Sequence, residues 1–227
     1  MSDAADWLTL SQNETESLCM KAARGVGFSW GLAEEAGFAA GWLAARNFDA
    51  ITPLVALLTP KMVNAITRGA PKPMPAHWRT LDGNPLCPIQ LGAALIDHAE
   101  LSDGPFRQDT QIDPVERPIL LLPFFARAAQ ILQRSVTVVW AEGGVQIMPD
   151  GVFKNFDAMA WASTQPVALR ILTSEFSDSH AGSAGSTILA RIPVATLRAI
   201  DALALRTTVP GSNSSRSGAG SGVKNDD

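Results

Sequence analysis

The last residues of the chain combine one arginine with closely spaced glycines. In the segment SSRSGAGSGVKNDD, Arg216 shortly precedes Gly218 and Gly220. A guanidinium presents five N–H donors in a planar fork that matches a carboxylate or phosphate, and glycine lets the backbone lie close against a ligand. We therefore predict an anion-binding site that contains Arg216, Gly218 and Gly220. The alternative, on composition alone, is a flexible tail without a binding role.

Two further cations stand one turn apart near the end of the first predicted helix. Lys21 and Arg24 are candidates to join Arg216 around the same anion. Their alternative interpretation is structural, because cations near a helix C-terminus interact favourably with the helix dipole.

Other reactive side chains have stronger structural interpretations. Glu34 and Glu35 lie in the first turns of a predicted helix, where carboxylates stabilise the positive end of the dipole. Cys87 stands at a predicted helix N-terminus, a setting that lowers a thiol pKa, but the sequence supplies no base for it. His98 and the other two histidines have no histidine or cysteine at ligand spacing, so we expect no metal site. The sequence identifies no complete catalytic set and no cofactor.

The segment GVGFSWG, residues 25–31, lacks the G-x-G-x-x-G spacing and follows a predicted helix instead of a strand. A nucleotide-binding loop needs both features, so we interpret this segment as a turn between two helices.

Composition excludes several classes of function. The chain has 227 residues, a formal charge of −4 and a pI near 5.4, which argues against a nucleic-acid-binding surface. It holds no apolar run long enough for a membrane span and no secretory signal at its start. Two cysteines are too few for a disulfide framework. We expect a soluble, cytoplasmic protein whose partners include neither nucleic acid nor membrane.

The first 104 residues are predicted to be helical. Ser11 and Glu14 have capping-box spacing, and Ser29 caps a second helix that runs to about residue 46. Small residues recur every fourth position in that helix, including Gly37 and Gly41. Because glycine costs about 1 kcal/mol against alanine in a helix, we predict that these glycines allow close packing of the two helices as an antiparallel hairpin.

Proline marks the helices that follow. The pairs Thr52-Pro53 and Thr59-Pro60 each predict the start of a short helix, the second ending at Gly69. Pro88 predicts the start of another helix, which we expect to stop at residues 103–104.

The second half has the patterns of strands mixed with helices. RPILLLP, an apolar run at 117–123, is consistent with a buried strand, and residues 124–133 are predicted to be helical. Residues 135–151 predict a β-hairpin with its turn at Gly143-Gly144. Residues 167–176 and 186–194 predict two more strands, and residues 195–206 a final amphipathic helix.

These elements predict an α+β protein in which a helical N-terminal half packs with a mostly antiparallel sheet in the C-terminal half. We expect one domain over residues 1–227, with a helical part at 1–104, a mixed part at 105–209 and a Gly/Ser-rich C-terminal segment at 210–227.

Three N-terminal motifs resemble a bacterial family known as domain of unknown function 3726. They are L-S-x-N-E-x-E from Leu10, K-A-A-R-G at 21–25 and W-G-L-A-E-E-A at 30–36. The S-R and G-A-G-x-G patterns at 215–222 are similar to that family's ending. The resemblance implies a single full-length domain with an ordered or ligand-ordered tail, and it implies no activity because the family is uncharacterised.

Two functions from different classes remain as hypotheses. The first is binding of a small anionic metabolite, with or without an enzymatic reaction. The second is a non-catalytic accessory subunit that docks a partner enzyme; assembly with another protein or into a homo-oligomer is a separate hypothesis. In that case Trp30, Trp42 and Trp78 are anchors on the surface.

Overall fold

The computed structural model describes residues 7–61, 68–141, 143–173 and 192–207. Within these ranges the α-helices are α1 (Gln12–Gly25), α2 (Trp30–Ala44), α3 (Ile51–Lys61), α4 (Pro88–Asp97), α5 (Leu122–Leu132), α6 (Ala158–Trp161) and α7 (Val194–Ala204). The strands are β1 (Trp7–Leu8), β2 (His77–Trp78), β3 (Thr110–Val115), β4 (Val136–Trp140), β5 (Gly143–Ile147), β6 (Phe153–Lys154), β7 (Val167–Leu172) and β8 (Ile192–Pro193). Two 3₁₀ helices, Pro118–Leu121 and Leu205–Thr207, precede α5 and follow α7.

The predicted start of α1 is confirmed by a complete capping box. The Glu14 backbone N–H donates to Ser11 Oγ at 3.3 Å, and the Ser11 backbone N–H donates to Glu14 Oε2 at 2.8 Å. These hydrogen bonds stabilise the carboxylate and lower the pKa of Glu14, as bonds to a charged form do. Ser29 caps α2 as predicted, since its side chain accepts from the Leu32 N–H at 3.3 Å.

The close helical hairpin is also confirmed. A Cβ added at Gly37 would lie 2.9 Å from the Glu16 carbonyl oxygen, and one at Gly41 would lie 2.9 Å from Glu16 Oε2. Any larger residue at Gly37 would therefore push the α1 backbone away. Both glycines face α1, where a side chain at either position would collide with Glu16.

Helix α3 begins beside Thr52-Pro53 as predicted, but the prediction of a separate helix starting at Thr59-Pro60 is wrong, because α3 is a single helix that includes both pairs. Its first turn is capped by Asp49, whose Oδ1 accepts from the Thr52 N–H at 3.0 Å. Pro53 is the third helical residue, where a missing N–H costs no helical hydrogen bond. Thr59 directs its hydroxyl to the Val55 carbonyl at 2.8 Å, so this second threonine lies inside the helix. Residues 62–67, which lead to the predicted end at Gly69, lie outside the described residues.

Helix α4 begins at Pro88 as predicted but ends earlier than expected. Its C-cap is His98, and the chain beyond it forms turns. The His98 ring Nδ1 lies 2.8 Å from the Ala94 carbonyl. The ring itself packs edge-on against Trp78, with 5.4 Å between ring centroids. Helix α4 thus ends before the predicted stop at residues 103–104.

The larger sheet has six strands in the order β2-β3-β7-β4-β5-β6 within the described ranges. Among the strand pairs of the described residues, only β2–β3 is parallel, so the mostly antiparallel sheet is confirmed. The predicted hairpin is β4–β5, but Trp140 pairs with Gly143, so both predicted turn glycines lie in β5. Strands β1 and β8 form a separate antiparallel pair. The rest of the strand predicted at 186–194 lies outside the described residues.

The prediction that RPILLLP forms a strand is wrong. Residues Pro118–Leu121 form a 3₁₀ helix that continues into α5. Pro118 and Pro123 lie in first helical turns, where no N–H donor is needed. The strand of this region is β3, which begins at Thr110.

Helix α5 joins the two halves of the protein. It contacts α2 and α4 on the helical side and β4 and β5 on the sheet side. Buried apolar side chains from all these elements form one continuous cluster. Helix α7 packs on α1 and α3. The fold is α+β. None of the described helices is long and apolar enough to cross a lipid bilayer.

Candidate functional site

Arg216, Gly218 and Gly220 lie outside the described residues, so their predicted role in an anion site stays a prediction. The other two predicted members, Lys21 and Arg24, both lie on α1 within the described part of the chain.

Lys21 lines a groove of about 540 Å³ between the first and last helices. We name this the α1–α7 groove; it is lined by Leu10, Asn13, Glu14, Ser17, Leu18, Lys21, Asp201, Ala204, Leu205 and Thr207. Its charged members are two carboxylates and one lysine. The described lining is therefore net negative and disfavours an anion.

Arg24 interacts with the turn between α1 and α2 and with the start of α2. Its guanidinium donates to the Phe28 carbonyl and lies over the Trp30 ring, 4.6 Å from the centroid. It is not among the described residues that line the α1–α7 groove. Lys21 and Arg24 thus do not share the α1–α7 groove.

The other sequence candidates occupy structural positions. Glu35 accepts two hydrogen bonds from Arg127 Nη1, at 3.2 and 3.0 Å, and that guanidinium lies 4.5 Å from the Phe38 ring centroid. This ion pair joins α2 to α5, whereas Glu34 is exposed. Cys87 is fully buried, which removes it from contact with a substrate.

One polar pair is not visible in the sequence. His77 Nε2 lies 2.8 Å from Asp113 Oδ1, and the two side chains are 40% and 36% exposed. Parallel pairing of β2 with β3 brings them together across 36 residues of sequence. The pair fixes the imidazole orientation, but neither residue lines the α1–α7 groove or the cavity described next.

A second cavity has a volume of about 310 Å³ and lies where the α2–α3 corner, the start of the first 3₁₀ helix and α6 meet. We name it the Arg117 cavity; its lining is Asn47, Phe48, Asp49, Thr52, Pro53, Ala56, Arg117, Ile119, Ala158, Met159, Ala162, Ser163 and Thr164. About half of these side chains are apolar.

Arg117 is half-buried and has unusual backbone geometry. Its φ of 46° and ψ of 61° are left-handed, which costs a residue with a Cβ about 1–2 kcal/mol. The flanking backbone holds it there: Glu116 N–H donates to the Leu86 carbonyl and Leu120 N–H to the Arg117 carbonyl, both at 3.0 Å. No side chain or carbonyl of the described residues forms an ion pair or hydrogen bond with the Arg117 guanidinium.

Asp49 provides the second charge of the cavity. Its Oδ1 caps α3 through the Thr52 N–H at 3.0 Å, so the positive end of the α3 dipole lies at the cavity wall. Asn47 precedes it in a left-handed conformation with φ of 62°, and the Phe48 N–H closes the turn on the Leu43 carbonyl at 3.0 Å.

A row of aromatic rings fixes the cavity walls relative to each other. Phe48 packs edge-on against Phe156 at 5.5 Å between centroids, Phe156 stacks on Phe153 at 4.8 Å, and Phe153 packs on Trp42 at 5.9 Å. The row connects the α2–α3 corner with the segment that leads into α6. Such ring pairs contribute beyond their buried area, so we expect the cavity to be preformed.

The chemistry available in the Arg117 cavity is recognition of charge. Arg117 is a half-buried residue whose guanidinium has no partner among the described residues, and such a group favours a carboxylate or phosphate. Among the described residues, no three histidine, cysteine, aspartate or glutamate side chains converge as metal ligands. Sequence reasoning missed Arg117 because its left-handed backbone and its cavity both depend on tertiary structure.

Comparison with known proteins agrees with the N-terminal motifs. Residues 10–97 match the model of the family described as protein of unknown function DUF3726. The family predicted from the sequence is confirmed over those residues, which include α1 to α4 and the Asn47–Asp49 wall of the cavity. Arg117 and the C-terminal motifs lie beyond the matched residues. No curated protein and no solved structure matches the chain.

Proposed function

We propose that the protein binds a small carboxylic acid in the Arg117 cavity. The observation that carries this proposal is Arg117, a half-buried residue that lines the cavity and whose guanidinium has no ion pair or hydrogen bond from the described residues. Strained backbone concentrates at ligand sites, where surrounding structure holds it in place. The left-handed Arg117 fits that pattern.

The lining favours a carboxylate over a more highly charged anion. Asp49 faces the same cavity and would repel a phosphate that carries two negative charges. Apolar side chains such as Phe48 and Ile119 complement a ligand with a hydrocarbon body. Small-molecule sites commonly combine apolar walls with a few oriented polar groups.

The accessory-subunit function has less support, because it needs exposed tryptophan anchors. Of the three proposed anchors, Trp78 is 3% exposed and Trp42 packs against Phe153, whereas Trp30 is 64% exposed. One exposed tryptophan under the Arg24 guanidinium supports a small contact at most, since specific interfaces bury about 800 Å² on each partner.

We also propose a cytoplasmic location in a bacterium, the origin that the family resemblance implies. The support for a cytoplasmic location is chemical: Cys19 and Cys87 are buried and form no disulfide bond, which fits a reducing compartment.

Calorimetric titration with 4-methyl-2-oxopentanoate, a small carboxylate with an apolar body, tests the proposed function. We expect Arg117→Gln to weaken binding by about tenfold or more, because hydrogen bonds to charged groups are the strong ones. The matched control is Arg198→Gln, which removes an exposed arginine on α7 and should leave binding unchanged. If the wild-type protein does not bind this acid, or if both variants bind it equally well, the proposed function is wrong.

A further inference from the structure

Two residues of opposite charge, Asp49 and Arg117, line the Arg117 cavity, and they do not pair with each other. The salt bridges among the described residues are His77–Asp113, Arg127–Glu35 and Arg170–Asp109. Neither Arg117 nor Asp49 belongs to one of them, although both line the same cavity. Each charge is therefore partly desolvated without an ionic partner from the described residues.

The free side of Asp49 suits a cation. Its Oδ1 accepts a hydrogen bond from the Thr52 N–H, while Oδ2 accepts none from the described residues. A carboxylate has lone pairs for several donors, so an ammonium group of a ligand can be accommodated without breaking the helix cap.

From this pair of charges we infer that the ligand is a zwitterionic amino acid with an apolar side chain, an inference that rests on the proposed function. The ligand carboxylate binds Arg117 and its ammonium group binds Asp49. A carboxylic acid without an ammonium group pairs with Arg117 but is repelled by Asp49. An amine without a carboxylate pairs with Asp49 but is repelled by Arg117. Only a ligand that carries both charges satisfies both side chains.

The remaining lining selects the side chain of that amino acid. Phe48, Ile119 and Met159 give the cavity apolar walls. Met159 is 82% exposed, and methionine is flexible enough to adapt to different apolar shapes. A cavity of about 310 Å³ has room for a leucine, methionine or phenylalanine ligand.

The test compares three compounds that share one hydrocarbon body. L-Leucine carries both charges, 4-methyl-2-oxopentanoate lacks the ammonium group, and 3-methylbutylamine lacks the carboxylate. By calorimetry we expect leucine to bind about tenfold more tightly than the oxoacid and the amine to bind most weakly. L-Methionine and L-phenylalanine extend the comparison to the other apolar side chains.

Asp49→Asn removes the negative charge of residue 49 and keeps a side chain that can cap α3. Asparagine caps a helix as well as aspartate does, so the fold should be retained, as a thermal melt will check. We expect leucine affinity to fall by about tenfold, while oxoacid affinity stays equal or rises because the repulsion is gone. The control is Asp201→Asn in the α1–α7 groove, which removes an exposed carboxylate and should change neither affinity.

The outcomes distinguish this inference from the proposed function. If the oxoacid binds through Arg117 and leucine binds no more tightly, the amino-acid inference is wrong while the carboxylate site stands. The same holds if Asp49→Asn weakens both ligands equally. If none of the acids or amino acids binds, both proposals are wrong.

Discussion

Gly25→Ala is expected to lower the free energy of unfolding by about 3 kcal/mol or to prevent folding. A Cβ at Gly25 would lie 1.9 Å from the Leu203 carbonyl oxygen and 2.9 Å from its carbonyl carbon. The obstacle is backbone, so no side-chain rotation relieves it, and α7 must move off α1. Denaturant unfolding of the purified variant measures the loss.

The matched control for this variant is Gly31→Ala. Gly31 is exposed near the start of α2, and no atom lies within 4 Å of a Cβ placed there. Alanine is the better helix former, so this variant should gain up to about 1 kcal/mol. If Gly25→Ala proves as stable as Gly31→Ala, α7 does not sit against the end of α1.

Gly92→Ala is expected to cost about 2 kcal/mol or more by overpacking the contact between α4 and α5. Its Cβ would meet the Phe124 ring at 2.2, 2.4 and 2.5 Å. Phe124 is fully buried and packs edge-on against Phe38, with 5.9 Å between centroids, so the ring cannot swing away freely. Thermal or denaturant unfolding measures this effect.

A double-mutant cycle shows whether the ring is the cause. Phe124→Leu removes the atoms that a Gly92 methyl would meet, at its own cost in packing. The double variant should lose clearly less than the two single losses combined, with a coupling of about 1 kcal/mol or more. Simple additivity would mean that Gly92 is required for some other reason.

Local signals predicted the helical hairpin well because its determinants are close in sequence. Ser11 with Glu14, and Ser29 before α2, are caps whose geometry depends on three or four residues. The spacing of Gly37 and Gly41 predicted close packing for the same reason. At Gly25, by contrast, the sequence predicted only a helix end, while the structure adds the Leu203 carbonyl, a contact across most of the chain.

Short apolar runs do not determine by themselves whether they form a strand or a helix. RPILLLP has no period that separates a strand from a helix. Pro118 and Pro123 are compatible with a helix because they lie in first helical turns, and this position is known only from the structure. Strand β3 has no clear sequence signal, because Asp113 and Pro114 are residue types that are rare in strands. In the structure the β3–β7 register shifts between Ile112 and Val115, and Asp113 pairs with His77.

The candidate site could not be located from sequence. Asn47, Asp49, Arg117 and Met159 are brought together only by the packing of α3, the 3₁₀ helix and α6. The sequence did predict the kind of chemistry, an arginine for an anion, but it placed that arginine at Arg216, which lies outside the described residues. Whether the C-terminal segment adds a second anion contact stays a prediction.

A crystal structure of the protein with 4-methyl-2-oxopentanoate tests the central claim most directly, because it locates the carboxylate. We expect its oxygens about 2.7–2.9 Å from the Arg117 guanidinium nitrogens, with the hydrocarbon end against Phe48 and Ile119. A ligand found in the α1–α7 groove beside Lys21, or a filled Arg117 cavity in which the guanidinium makes no contact with the carboxylate, would contradict the account.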